Sequence, residues 1–241
     1  MKKIIIITGA SKGLGLEMCK QALNEDYKVI AISRKETQDI RLLKKEYSND
    51  LYFESFDLMD LDGIYDFTVK IIKEYGKPWA LINNAAIGID GILATMHHND
   101  INNIIKVNLE APILLTKYFL RPMLLNKSGR VINISSIIAN TGFNGLSVYG
   151  ATKAGLIGFS KSLSREVGKL NITVNSILPG YMETDMTMGM DEKKLKSIKR
   201  RSPMRKLVKV SDVVNAILFL LSDSASSITG TTITIDAGST A

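Results

Sequence analysis

Cysteine and histidine are nearly missing from this 241-residue sequence: it has one cysteine, Cys19, and two histidines, His97 and His98. A single cysteine excludes an intramolecular disulfide framework and makes a reducing compartment, the cytoplasm, the expected setting. Cys19 itself reads as a small hydrophobe buried on a helix. With so few soft ligands and no matching carboxylate spacing, no transition-metal site is expected. The two histidines fall in a polar stretch leading into a helix and read as solvated or capping. No apolar run approaches the roughly 18 residues of a membrane span. The opening "MKKIIIITGA" has the lysines of a secretion signal, but its apolar run is only Ile4 to Ile7, short of the roughly 7–15 residues of a signal core. A β-branched run of that length is better read as a buried strand. No linker-like, repetitive or low-complexity segment divides the chain, so one domain over residues 1–241 is expected.

What is present is a rich supply of core. Hydrophobic residues make up 45% of the chain, in short runs that alternate with helical patterns. "KIIIIT", "YKVIAI", "LYFESF", "WALINN", "GRVINIS", "NITVNSI" and "TTITID" read as strands, and stretches such as 14–26, 60–75, 98–124, 149–169 and 210–222 as amphipathic helices. Strands apolar on both faces, alternating with helices, predict an α/β fold: a doubly wound parallel sheet of about seven strands, Rossmann-type, with helices on both faces. Such a sheet binds ligands at the carboxyl ends of its strands, where the strand order reverses. The net charge of +7 is concentrated: between Asp191 and Lys209 lie nine basic residues against two acidic ones, numerically the whole excess. That segment is either a solvated helix face or a patch for an acidic or phosphate-bearing partner. Nucleic acid is not expected, because no aromatic interleaving or nucleic-acid module accompanies it.

The turn after the first strand is "TGASKGLG", with Gly9, Gly13 and Gly15 around Ser11, Lys12 and Leu14. Glycines let the backbone turn sharply and approach a pyrophosphate, and the helix that follows offers free N–H groups and its positive dipole end. Strand before and helix after make this a dinucleotide site. At the end of the second strand, where an NAD site usually places a carboxylate, stand Ser33 and Arg34. Arginine pairs bidentately with a 2′-phosphate and Lys12 adds a second charge, so NADP (as NADPH) is the expected cofactor.

"LSVYGATKAGLIGFSKS" places Tyr149 and Lys153 one helical turn apart. Chance alone supplies such a spacing in a lysine-rich chain with 8 tyrosines. It gains meaning beside "IKVNLEA" with Asn108, "VINISSI" with Ser136, "INNAAIG" with Asn83 and Asn84, and "VNSILPGYMETDM" with Pro179, Gly180 and Thr184. Together with the glycine-rich loop, these resemble the short-chain dehydrogenase/reductase family, in order and spacing, over the whole chain. The resemblance implies a tetrad of Asn108, Ser136, Tyr149 and Lys153, with Asn108 anchoring a water in a proton relay. Asp57, followed by Leu58, matches the family's adenine-binding aspartate, and Pro179, Gly180 and Thr184 match the motif flanking the nicotinamide. Of two adjacent serines, Ser136 is the catalytic candidate and Ser135 is expected to point the other way. Ala86 and Ala237 stand where the family usually has glycine.

The chemistry accounts for the residue types. Hydride transfer to a carbonyl builds negative charge on its oxygen, which must then receive a proton. A phenol titrates near pH 10, too high for easy exchange at neutrality. A neighbouring ammonium and an oxidised nicotinamide are expected to lower it. Ser136 would donate a hydrogen bond to the carbonyl oxygen. On the same helix, Gly150, Ala151, Ala154, Gly155 and Gly158 are small enough for close packing, either on the chain's own sheet or, as the resemblance implies, against another subunit of a homotetramer.

Within the family the pattern is similar to 3-oxoacyl-carrier-protein reductases, which implies an acidic acyl carrier protein as partner, a substrate lid at about 182–206 and reduction of a 3-oxoacyl thioester. The basic segment and Lys127 suit an acidic carrier, whereas Leu170 stands where carrier-dependent members often have a basic residue. Reduction of a sugar, steroid or small ketone remains a second reading, and a non-catalytic NADP-binding protein a third.

Overall fold

A computed structural model describes residues 2–182 and 192–241. Seven parallel strands form one sheet: β1 (Ile4–Thr8), β2 (Lys28–Ser33), β3 (Leu51–Ser55), β4 (Ala80–Asn83), β5 (Gly129–Ile134), β6 (Ile172–Pro179) and β7 (Thr232–Ile235). Their spatial order is β3-β2-β1-β4-β5-β6-β7. The chain thus builds outward from β1 in one direction, then crosses to β4 and builds in the other, and the crevice of such a sheet opens between those two strands.

The isoleucine run shows how both faces are covered. Successive side chains of a strand point to opposite sides. Ile5 and Ile7 therefore join the core under α1 (Gly13–Asn24), α2 (Gln38–Glu46) and the last helix, α9 (Val210–Leu221). Ile6 joins the core under α3 (Ile64–Tyr75), α5 (Ala111–Asn126) and α7 (Ser147–Val167). All three isoleucines are fully buried, and each such side chain contributes roughly 1.5–3 kcal/mol. Cys19 lies in the first of these cores, where burial pushes its thiol up to about 12, as expected of an inert hydrophobe.

The stretch read from the sequence as one helix over 98–124 is divided. α4 (His98–Ile105) passes into a single π turn, Lys106–Glu110, before α5 continues. Hydrophobic periodicity is nearly blind to one extra residue per turn, so nothing in the pattern marks it; π turns are often found at functional sites. Two short elements complete the described helices, α6 (Ile138–Thr141) and α8 (Glu192–Arg201). The small residues of α7 divide between the interior and the surface: Gly150 and Gly155 are half-buried, whereas Ala151, Ala154 and Gly158 are exposed. A Cβ on Gly155 would lie 3.1 Å from Leu109 and one on Gly150 3.5 Å from Ile138, whereas Gly158 faces open space.

The turn after β7 explains one departure noted in the sequence. Ala237, where glycine is usual, has φ +56°. It is held there from both sides. The Asp236 carboxylate accepts bonds from the Gly238 and Thr240 amides and the Thr240 hydroxyl at 2.8–2.9 Å, and the Ala237 carbonyl accepts from Ser202 Oγ at 2.6 Å. A side chain in the left-handed region costs roughly 1–2 kcal/mol, partly offset by the greater unfolded-state entropy of glycine. Ala237→Gly is therefore expected to raise stability by about 0.5–1 kcal/mol, seen as a higher denaturant midpoint with an unchanged m-value.

Candidate active site

The crevice is anchored at its floor. Thr8, buried at the end of β1, accepts hydrogen bonds from the Asn84 and Ala85 amides at 3.0 Å each. Asn84 returns the contact, its Nδ2 donating to the Thr8 carbonyl at 2.9 Å and the Gly9 carbonyl at 3.3 Å. Two glycines are required where the loop meets this seam. Gly9 has φ +67°, and a Cβ there would lie 2.8 Å from Ala85 Cα; a Cβ on Gly15 would collide with the Gly9 carbonyl. α1 begins with Lys12 as N-cap and no side chain bonding its first N–H groups. These donors, a close-packed loop and the positive helix end fit a pyrophosphate.

At one end of the crevice the charge is positive. Lys12 and Arg34 are exposed, and neither has an ion pair among the described residues. A carboxylate of the same loop as Arg34, Glu36, is turned onto α2, 3.3 Å from Arg41 Nε and 3.7 Å from Lys44 Nζ. Ser33 Oγ donates to the Lys35 carbonyl, and Ser55 Oγ to the Arg34 carbonyl, fixing the loop. Asp57 uses one carboxylate oxygen to accept from the Met59 amide at 3.0 Å.

At the other end, β5 delivers two serines with opposite tasks. Ser135 is buried and donates to the Lys153 carbonyl at 2.7 Å, tying α7 to the sheet. Ser136 lines the crevice, where its Oγ accepts from the Ile138 amide at 3.2 Å and its hydroxyl draws the Tyr149 phenol down. Lys153 is only 2% exposed; its Nζ donates to the Ile134 carbonyl at 2.8 Å and lies 5.6 Å from the Tyr149 ring centroid. The expected depression of the phenol is not what this pocket produces. Burial pushes Tyr149 up, against the pull of the Ser136 hydrogen bond, and burial draws Lys153 down to about 8. Desolvation disfavours the charged form of each and is the largest cause of both shifts.

Asn108 occupies the π turn and is fully buried. Its side chain pairs with the Ile87 backbone in both directions: Oδ1 accepts from the amide and Nδ2 donates to the carbonyl, each at 2.8 Å. The side-chain amide is thus engaged in holding the segment after β4.

One cavity of about 960 Å³ connects these ends. Every candidate cofactor residue named from the sequence lines it (Gly9, Ser11, Lys12, Gly13, Leu14, Gly15, Ser33, Arg34, Asp57, Leu58, Asn84, Pro179 and Gly180) except Thr184, which lies outside the described residues. Ser136, Tyr149 and Lys153 line it as well, while Asn108 stands behind it. Sequence reading missed Thr37, Asn103 and Met182, which also line the wall. Thr37 carried a signal: a threonine before "QDI", an N-cap followed by acid in the first turn. Asn108→Asp would set an acceptor against the Ile87 carbonyl. A loss of roughly 1–3 kcal/mol is expected, with faster hydrogen exchange at the Ile87 amide as the local signature.

The short chain dehydrogenase family model matches residues 3–195. The chain is 37% identical over 238 residues to the 3-oxoacyl-[acyl-carrier-protein] reductase FabG of Escherichia coli (strain K12), covering 98% of this chain and 96% of that one. It is 34% identical over 241 residues to the acetoacetyl-CoA reductase of Acinetobacter sp. (strain RA3849), with 98% and 97% covered. It is 36% identical over 238 residues to carbonyl reductase family member 4 of Xenopus tropicalis, with 99% and 98% covered. With this sheet, this crevice and these relatives, the chain belongs to the short-chain dehydrogenase family and is an oxidoreductase acting on CH–OH groups.

Proposed function

We propose that the protein reduces 3-oxoacyl thioesters with NADPH, taking the acyl chain from an acidic carrier protein in the cytoplasm. The observation that carries the reading is one cavity with Ser136, Tyr149 and Lys153 at one end and, at the other, Lys12 and Arg34, neither of them ion-paired among the described residues. Similarity to the E. coli 3-oxoacyl-[acyl-carrier-protein] reductase supports the substrate class.

Bound along this cavity, NADPH supplies the hydride that reduces the substrate carbonyl. The chain's own residues do the rest. The first N–H groups of α1 hold the pyrophosphate, Lys12 and Arg34 bind the 2′-phosphate, and Asp57 and Leu58 border the adenine. Asn84, Pro179 and Gly180 flank the nicotinamide end. Ser136 donates to the carbonyl oxygen and offsets the charge that grows on it. Tyr149, kept a neutral phenol by burial, gives its proton to that oxygen as general acid. Lys153 faces the phenolate left behind and stabilises it until a proton returns. Asn108 acts indirectly, fixing the π turn and the Ile87 segment that wall the site.

Exposed cations on α8, among them Lys193, Lys199 and Arg200, support an acidic partner. The exposed Ala151, Ala154 and Gly158 on α7 support association into a homotetramer. A second reading, a coenzyme A thioester as substrate, is favoured by the acetoacetyl-CoA reductase relative and by Leu170 in place of a basic residue. Comparing kcat/KM for one 3-oxoacyl group on the two carriers decides between them. Turnover of neither, with NADPH bound, would send the reading to sugars and small ketones.

Tyr149→Phe removes the transferable proton and little volume; activity is expected to fall roughly 10²- to 10⁴-fold while NADPH titration is unchanged. The pH profile follows from the two shifts. Tyr149 is raised and stays protonated through neutrality, whereas Lys153, lowered from the ordinary 10.5, loses its proton as pH rises through about 8. The productive pair, neutral phenol and charged ammonium, is therefore complete below about 8. In the reductive direction kcat/KM for the cofactor, which reports the free enzyme, should be flat at neutrality and fall above that point. A profile that climbs through it would count against the assignment.

A further inference from the structure

We propose that Thr37 sets the preference for a 2′-phosphorylated cofactor, as a positioning residue that clamps two loops together. The inference rests on the NADPH reading above. Thr37 lies between β2 and α2 and lines the cofactor cavity. Its hydroxyl donates to the Ser11 carbonyl at 3.0 Å, across 26 residues of chain, and accepts from the Ile40 amide as the N-cap of α2. A hydroxyl has one proton and two lone pairs, so both bonds are made at once.

The carbonyl it holds belongs to the residue before Lys12, and its own loop carries Arg34. Arg34 is pinned on its other side by Ser55 Oγ, which donates to the Arg34 carbonyl at 3.0 Å. The two cations stand on different loops, and among the described residues one backbone bond also ties these turns together, from the Ala10 amide to the Ile32 carbonyl at 3.2 Å. A phosphate gripped by both cations needs that spacing fixed. A ribose hydroxyl without phosphate does not, because neither charge then has a dianion to share. The same cap orients the first turns of α2, from which Arg41 and Lys44 draw Glu36 aside. Thr37 thereby keeps the cations together and the carboxylate away.

The test is direct titration of the intact protein with NADPH and with NADH, without substrate, followed by nicotinamide fluorescence. Thr37→Val loses both hydroxyl bonds, Thr37→Gly loses the clamp but keeps a tolerated N-cap residue, and Thr37→Ser restores both. Val and Gly are each expected to weaken NADPH binding roughly tenfold and NADH binding by less than about twofold, the loss of one well-placed charge-assisted contact. Ser should retain the wild-type ratio. Equal losses for the two cofactors, or none, would overturn the clamp and leave the NADPH reading standing. A wild-type protein that binds NADH as tightly as NADPH would overturn that reading and the clamp with it.

Discussion

Where β1 and β4 run side by side, Thr8 and Asn84 exchange hydrogen bonds through side chains and backbone alike. This seam lies where the strand order reverses, the one place in the sheet where adjacent strand ends diverge into different loops. Because it is closed, the glycine-rich turn above it has a fixed floor, and Gly9 can approach Ala85 as closely as a residue without a side chain allows. The Ile87 segment that follows Asn84 is then caught by Asn108. A chain of bonds thus runs from the first strand to the π turn, and the cleft takes its width from it.

Desolvation governs the chemical end. A phenol and an ammonium one helical turn apart invite the conclusion that the cation makes the phenol acidic. The lysine is buried and the tyrosine half-buried, and the lysine spends a hydrogen bond on the Ile134 carbonyl. Withdrawal from water then sets both shifts, and the pair rests as a neutral phenol and an ammonium that gives up its proton more readily than usual. That resting state matches what an acid catalyst has to offer. Charge appears on the tyrosine only once its proton has left, and the lysine's attraction counts at that moment.

Much of this was legible in the sequence. The sheet was readable because its strands are apolar on both faces and end in glycine or polar residues, as "IIIIT" before Gly9 does. The opposed tasks of Ser135 and Ser136 followed from alternation along a strand. The π turn was not legible, since Asn108 keeps the helical periodicity on either side of it. Nor was the engagement of its amide, because a backbone partner at Ile87 leaves no trace in side-chain identity. The small residues of α7 allowed close packing either within the chain or against another subunit; Gly155 and Gly150 answer to Leu109 and Ile138 of the same chain, while Ala151, Ala154 and Gly158 stay exposed. Composition records that a neighbour is close, not which one it is.

The chain's charge and its catalytic electrostatics occupy different dielectric worlds. The excess of cations between Asp191 and Lys209 lies in a segment whose described lysines and arginines are largely exposed, within reach of mobile ions whose screening length is about 8 Å at physiological salt. Lys153, 2% exposed, is beyond that reach. Ionic strength therefore acts on whatever the surface attracts and leaves the proton donor and its cation as they were, so that capture and chemistry in this molecule can vary independently of one another.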